Sequence, residues 1–469
     1  MPDAMPDAMR ATASAAEIAE AVVTGKVAAA HVVEATLRRI GERDKTLNAF
    51  TAVTGERAMA RARKIDAERA AGRRLGVLAG VPFAAKNLFD VAGLTTLAGS
   101  KINRDRPPAA ADATLVKRLE SADGVLVGTL NMGEYAYDFT GENAHFGPSR
   151  NPHDITRMTG GSSGGCGGAV AGGLVPLALG SDTNGSIRVP SSFCGLFGLK
   201  PTYGRLSRAG TFPFVTSLDH VGPLARSARD LALAYDVMQG HDGNDPVCVR
   251  RAAEPTLERL QQGLAGLRVA VASGHFKRGT APEALAAVAR VAQALEVTRE
   301  IEIPEAARAR AAAFLITASE GASLHLPRLR ARACDFDPAV RDRLLAGAFL
   351  PAALVMKAQK FRRWYRAQVL KLFESVDAIL APATPFPAPR IGQQTMQLEG
   401  AEVPLRPNIG IFTQPLSFVG LPVVAVPVPL SPLPIGVQIV AAPWREDVAL
   451  RIAHVLEETK TVATPLPAE

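Results

Sequence analysis

Apolar residues recur at helical spacing from Ala15 to about Ala71, with Ile18, Val22 and Val23 followed by Val32, Val33, Ala35, Leu37 and Ile40. That periodicity predicts packing helices. After Arg73 and Arg74 the texture changes to short apolar runs broken by glycine and proline, in LAGVPFAAKN, DGVLVGTLN, GLVPLALGSDTNGS and FCGLFGLKPTYGRLS. Such runs predict buried strands joined by loops. From about Glu254 to Tyr365 the chain is rich in alanine, arginine and leucine and again reads as helical, interrupted by one strand in GLRVAVASG, Gly266 to Gly274. Strand texture returns in VDAILAPATP, LPVVAVPVP and GVQIVAAP before a closing helix around Glu446 to Glu458. Neither an internal repeat nor a composition shift marks a second unit, so one large mixed α/β domain is expected over 15–469. Residues 1–14 open with MPDAMPDAM, a duplication holding Pro and Asp with no apolar segment after it. They are read as a disordered tail and not as a signal peptide.

Composition narrows the class. At 469 residues and 47% hydrophobic, the chain is long enough for a large core. The net charge of +8 comes from lysines and arginines scattered along the sequence without a block of like charge, which argues against a nucleic-acid surface and favours small anionic substrates. From Pro407 to Trp444 no charged residue occurs, but eight prolines interrupt that stretch. They would break a spanning helix, so buried strands and turns are expected in place of a membrane segment. Cys166, Cys194, Cys248 and Cys334 lie far apart without a CxxC pair, so they are read as reduced, buried thiols of a cytoplasmic protein.

Two loops carry the candidate chemistry. Thr159-Gly160-Gly161-Ser162-Ser163-Gly164-Gly165-Cys166-Gly167-Gly168 is followed, across an apolar stretch, by Ser181-Asp182-Thr183-Asn184-Gly185-Ser186-Ile187-Arg188. Glycines let several backbone N–H groups approach one anion. The first loop also matches the nucleophile-elbow pattern GxSxG at Ser162 and again at Ser163, and His220, His241, His275, His325 and His454 all follow it in the order an α/β-hydrolase needs. Neither loop holds a P-loop or a dinucleotide fingerprint, and HExxH is absent; His145 and His153 lack paired cysteines. Thr384 and Gln438 are further pocket candidates with equally good core or turn roles.

Taken together, Lys86 in GVPFAAKNLFDVAG, then GGSSGG, then GSDTNGSIRVPSSFCGLFGLKPTYGRLS resemble the amidase signature family, and LNMGEYAY, FGPSRNPHD, SLDHVGPLARSARDLA, ILAPATP and LPIGVQIVAAP extend the resemblance over nearly the whole chain. It implies one amidase-signature domain, a mixed central β-sheet covered by helices on both faces, with a signature core at about 76–245 and a helical insert at about 275–370. It also implies a Ser-cisSer-Lys unit without metal or cofactor: Lys86 as base, Ser162 as relay, Ser186 as nucleophile. The backbone amides of Thr183, Asn184, Gly185 and Ser186 become the oxyanion hole, with Gly161, Ser163, Asp182 and Arg188 supporting the loops. Asp182 and Arg188 are expected to form a structural ion pair. Asn184 stands where the family usually has glycine; it tolerates left-handed backbone better than other non-glycine residues, and its side-chain amide is a candidate substrate contact.

For Lys86 to accept a proton near neutral pH its pKa must fall, and apolar Val81, Pro82, Phe83, Ala84 and Ala85 supply the burial that would lower it. KNLFDVAGLTTLAGSKI, SDTNGSIRVPSS and EGASLHLPRLRARACDFDP resemble the branch of the family that acts on carboxybiuret-like substrates in cyanuric acid breakdown. That implies a small carboxylated amide or urea-type substrate, ammonia release, a small helical partner subunit, and a homodimer or heterotetramer. His325 and Arg328, with Arg330, are the expected carboxylate-binding residues in the helical insert. A broad-specificity amidase, the glutaminase subunit of a glutamyl-tRNA amidotransferase and a non-catalytic scaffold subunit are the alternatives.

Overall fold

The computed structural model describes residues 7–465. Eleven strands form one sheet: β1 (Phe50–Val53), β2 (Pro82–Lys86), β3 (Val125–Leu130), β4 (Leu177–Asp182), β5 (Phe197–Lys200), β6 (His220–Ala225), β7 (Val269–Ala272), β8 (Glu300–Ile301), β9 (Ala378–Pro382), β10 (Val423–Val428) and β11 (Ile435–Ala441). Their spatial order is β1-β3-β2-β4-β6-β5-β10-β11-β9-β7-β8. β2 runs parallel to both β3 and β4, whereas β4, β6, β5, β10 and β11 alternate direction, so the sheet is mixed. Every residue of β2, β3, β4, β5, β6, β9, β10 and β11 is buried. Both faces are therefore covered, and the near-continuous apolar runs in the sequence have this as their physical origin.

The proline-rich stretch read as strands does form β10 and β11. Pro427 sits in β10 opposite Gly436, beyond the point where β5 stops pairing at Ala425, so its missing N–H removes no ladder bond on that side. Among the described residues no helix is long and apolar enough to cross a membrane.

Helices α1 (Gly164–Ala171) and α2 (Arg188–Cys194) follow the two glycine and serine loops, α3 (Ala306–Arg332), α4 (Pro338–Ala348) and α5 (Ala352–Leu372) build the insert, and α6 (Glu446–Glu458) closes the fold. Two expectations need correction. Residues 1–6 of the tail lie outside the described residues, but 7–14 are held on the body: Arg39 donates to Met9 O at 2.8 Å, Arg226 donates to Ala13 O, and Ser14 caps the next helix. The cysteines are unpaired, yet only Cys166, Cys194 and Cys248 are buried, while Cys334 is exposed at the end of the insert's long helix.

Candidate active site

Parallel pairing assembles the first half of the site. Ala85 of β2 lies opposite Leu179 of β4, so both strands end at one edge of the sheet and Lys86 comes level with Ser181. The lysine side chain is fully buried, and Nζ lies 2.7 Å from Ser162 Oγ, 3.0 Å from Ser163 Oγ and 2.9 Å from Ser181 Oγ. Burial pulls the lysine down to about 8, against an upward pull from Cys166 and the carboxylates of Asp182, Asp219 and Asp138. Ser163 Oγ donates to Ser181 O at 3.2 Å, so its oxygen accepts from Lys86. A neutral amine with two N–H groups then keeps one lone pair for a hydroxyl proton.

The Gly161–Ser162 peptide is cis. Gly161 donates to Phe139 O at 2.8 Å, and a Cβ at this position would sit 2.4 Å from Asp138 Oδ2. Only glycine permits that approach.

The second loop is braced from behind. Arg188 grips Asp182 through Nε–Oδ2 and Nη2–Oδ1, each 3.0 Å, with both side chains fully buried. Its remaining donors reach Thr413 O at 3.1 Å, Gln438 Oε1 at 2.7 Å and Ser417 Oγ. Burial pushes Asp182 up, but the charge and hydrogen bonds of Arg188 overcome it and hold the carboxyl well below the usual range. Asp182 also accepts from the Ile187 amide at 3.2 Å. The amides of Thr183, Asn184, Gly185 and Ser186, in contrast, donate to no acceptor among the described residues. Gly185 has φ +143°, and a Cβ there would lie 2.3 Å from Thr413 Oγ1. Asn184 is not in the left-handed region, so the expectation that it supplies that geometry is replaced: Gly185 does, and Asn184 is free to differ from glycine.

Ser186, 2% exposed, opens onto a cavity lined also by Thr183, Asn184, Thr317, Arg343 and Gln414 and walled by Tyr137, Phe139, Phe214 and Phe314. Its hydroxyl takes no hydrogen bond from the protein among the described residues, and none joins it to Ser162. Arg343 stacks 3.9 Å from the Tyr137 ring centroid, with Nε on Ala339 O at 2.7 Å and Nη2 on Tyr137 O. Its guanidinium is thus fixed in the cavity wall with Nη1 unused.

The sequence matches the family model described as Amidase over residues 31–450. The chain belongs to the amidase family. As a member it is a hydrolase acting on amide C–N bonds. This amidase is 54% identical over 446 residues to AtzE, the 1-carboxybiuret hydrolase component of Pseudomonas sp. (strain ADP), covering 94% of this chain and 98% of the relative. It is 38% identical to the GatA-type component, the A chain, of the glutamyl-tRNA(Gln) amidotransferase of Azotobacter vinelandii, covering 94% of this chain and 95% of that one. A solved structure of "an unexpected vestigial protein complex" that "reveals the evolutionary origins of an s-triazine catabolic enzyme" superposes with a TM-score of 0.96 at 53% identity, over 97% of this amidase and 100% of that chain. A bacterial aryl acylamidase superposes with a TM-score of 0.88 at 27% identity, over 96% of both chains.

In this amidase the residues expected to bind a carboxylate lie elsewhere. His325 is fully buried in an aromatic cluster, 4.0 Å from the Tyr135 ring centroid and beside Phe212 and Phe336, and neither of its ring nitrogens has a partner among the described residues. Burial and neighbouring Arg328 pull it down to about 3. Arg328 sits over Phe212 at 5.4 Å and Arg330 is exposed. None of the three lines the cavity of Ser186. Arg343 does, and the signal for it was its place on α4 between buried Val340, Leu344 and Gly347, which puts the side chain on the buried flank of that helix. Gln438 and Thr384 take structural roles, Gln438 on Arg188 and Thr384 on Ser192 Oγ at 2.7 Å. No histidine bonds Ser162, Ser163 or Ser186 among the described residues; His220 faces the carbonyls of Leu218 and Asp182. The nucleophile-elbow arrangement is therefore not built here.

Proposed function

We propose that this amidase hydrolyses a small carboxylated amide or urea-type substrate, carboxybiuret or its close chemical kin, and releases ammonia through an acyl-enzyme on Ser186. The observation that carries the reading is that Ser186 and the fixed cation Arg343 line one cavity. Arginine's planar fork suits a carboxylate, and burial strengthens the attraction. Neutral Lys86 takes the Ser162 proton while Ser162 takes that of Ser186, and the alkoxide attacks the carbonyl. The relay hydrogen bond tightens on substrate binding, as catalytic contacts in unliganded sites commonly do. The free amides of Thr183 to Ser186 receive the oxyanion. Ammonia leaves with the returned proton, and water hydrolyses the ester by the reverse path. The 54% identical carboxybiuret hydrolase component supports the substrate class.

A glutaminase role beside tRNA-handling subunits is the second reading, favoured by the 38% identity to an amidotransferase component. Ammonia release from carboxybiuret, allophanate, biuret, glutamine and simple amides separates the two. The first reading predicts that carboxylated ureas lead, that Ser186→Ala and Lys86→Ala lose turnover, and that Arg343→Gln raises KM for anionic substrates only. Glutamine as the leading substrate would overturn it. A scaffold role fits poorly with a buried lysine kept on three hydroxyls. We further propose a small helical partner subunit and a homodimer or heterotetramer in the cytoplasm, supported by the relative solved as a protein complex and by exposed Phe349 (84%), Met356 (62%) and Trp364 (45%) on and before α5.

A further inference from the structure

Asn184 carries a buried group that the reaction above does not use. The residue is 7% exposed, and its side-chain Nδ2 donates to Thr317 Oγ1 at 2.9 Å. The other half of the amide, Oδ1, is buried with no hydrogen-bond partner among the described residues, and the residue lines the same cavity as Ser186 and Arg343. An unpaired buried acceptor is costly, so the group it lacks is to be looked for in the ligand. A carbonyl oxygen has lone pairs and no proton, and it is completed only by a donor.

We propose that Asn184 Oδ1 accepts a hydrogen bond from the N–H beside the scissile carbonyl of the substrate, and so selects ureas over carboxamides. The proposal rests on the amidohydrolase reading given above and names its substrate class. In a terminal urea, R–NH–CO–NH2, Ser186 Oγ bonds to the carbonyl carbon, the bond from that carbon to the terminal nitrogen breaks, and ammonia leaves carrying the proton that Ser186 gave up. The second N–H stays on the acyl-enzyme. A carboxamide, R–CH2–CO–NH2, goes through the same steps but offers a methylene where Oδ1 needs a donor. Thr317 fixes the orientation: while its hydroxyl holds Nδ2, the oxygen is the atom left toward the cavity. Asn184 thereby sets specificity through its side chain, whereas its backbone amide belongs to the oxyanion loop.

Two matched pairs test this, N-carbamoylglycine against succinamate and allophanate against malonamate, each differing only by N–H for a methylene. The readout is the kcat/KM ratio within each pair, compared between wild type, Asn184→Ala and Thr317→Val. Comparing variants cancels the intrinsic difference in carbonyl reactivity. The ratio should fall roughly 10- to 100-fold in Asn184→Ala, the effect expected when a site built around a donor loses its acceptor. Thr317→Val, which lets the amide turn, should lower the same ratio by a smaller factor and stands in if Asn184→Ala does not fold. An unchanged ratio in both variants, with Ser186→Ala still inactive, would overturn the role of Asn184 and leave the amidohydrolase reading intact. Wild type that cleaves neutral amides but no member of either anionic pair would overturn both.

Discussion

Lys86 serves the chemistry only as a neutral amine, and its environment is set for that. Burial takes it from 10.5 to about 8, so kcat/KM should rise with pH through an acid limb near 8, and a pH-rate profile checks it. The same shift has a stability consequence. Between about 8 and 10.5 the unfolded chain binds a proton that the folded one has lost, so stability rises with pH across that window. Below about 8 both forms are protonated and the full cost of the buried charge, on the order of 3 kcal/mol, is present. Replacing Lys86 by Met should therefore abolish turnover and flatten this part of the pH dependence of unfolding, measured by denaturant titration. Lys86, Ser162 and Ser186 were legible in the sequence because each lies in a long, unusual motif. Arg343 was not, because the insert offers many arginines and only the packing of α4 separates it from Arg328 and Arg330.

At the scale of elements, the nucleophile loop is rigid because its two ends are tied together. Asp182 closes β4, Arg188 opens α2, and their fully buried ion pair spans the turn between. Removing one partner leaves an uncompensated buried charge, so Arg188→Leu should cost about 3–5 kcal/mol, read from the denaturant midpoint. Gly185→Ala should act differently. It forces a Cβ against Thr413 at a φ that L-residues avoid, so activity should fall sharply with a smaller loss of stability. The strand character of β2, β4, β9, β10 and β11 was readable from apolar runs bounded by glycine and proline. Their pairing was not, since runs buried on both faces carry no alternation to set a register. Lys86 beside Ser181 is a product of that register.

Across the whole molecule the site draws on segments far apart in the chain, with Lys86, Ser162, Ser186 and Arg343 brought together by one sheet and its helical insert. Even the N-terminal residues contribute to that body. Deleting 1–14 removes the Arg39 and Arg226 contacts and the Ser14 cap, and should lower the melting temperature by several degrees, consistent with loss of a cap and its neighbouring hydrogen bonds. A free tail would leave it unchanged. Composition suggested such a tail because a short Ala, Asp and Pro segment has no periodicity of its own, and its order comes from arginines that lie in other elements.

The most direct test of the central claim is the rate at which a fluorophosphonate labels the protein, followed against pH with the modified peptide mapped by mass spectrometry. The structure predicts label on Ser186, a rate that climbs with pH through about 8, and no labelling in Lys86→Met. Label on Ser162 or Ser163, or labelling that survives loss of Lys86 but fails when His220 is replaced, would contradict it.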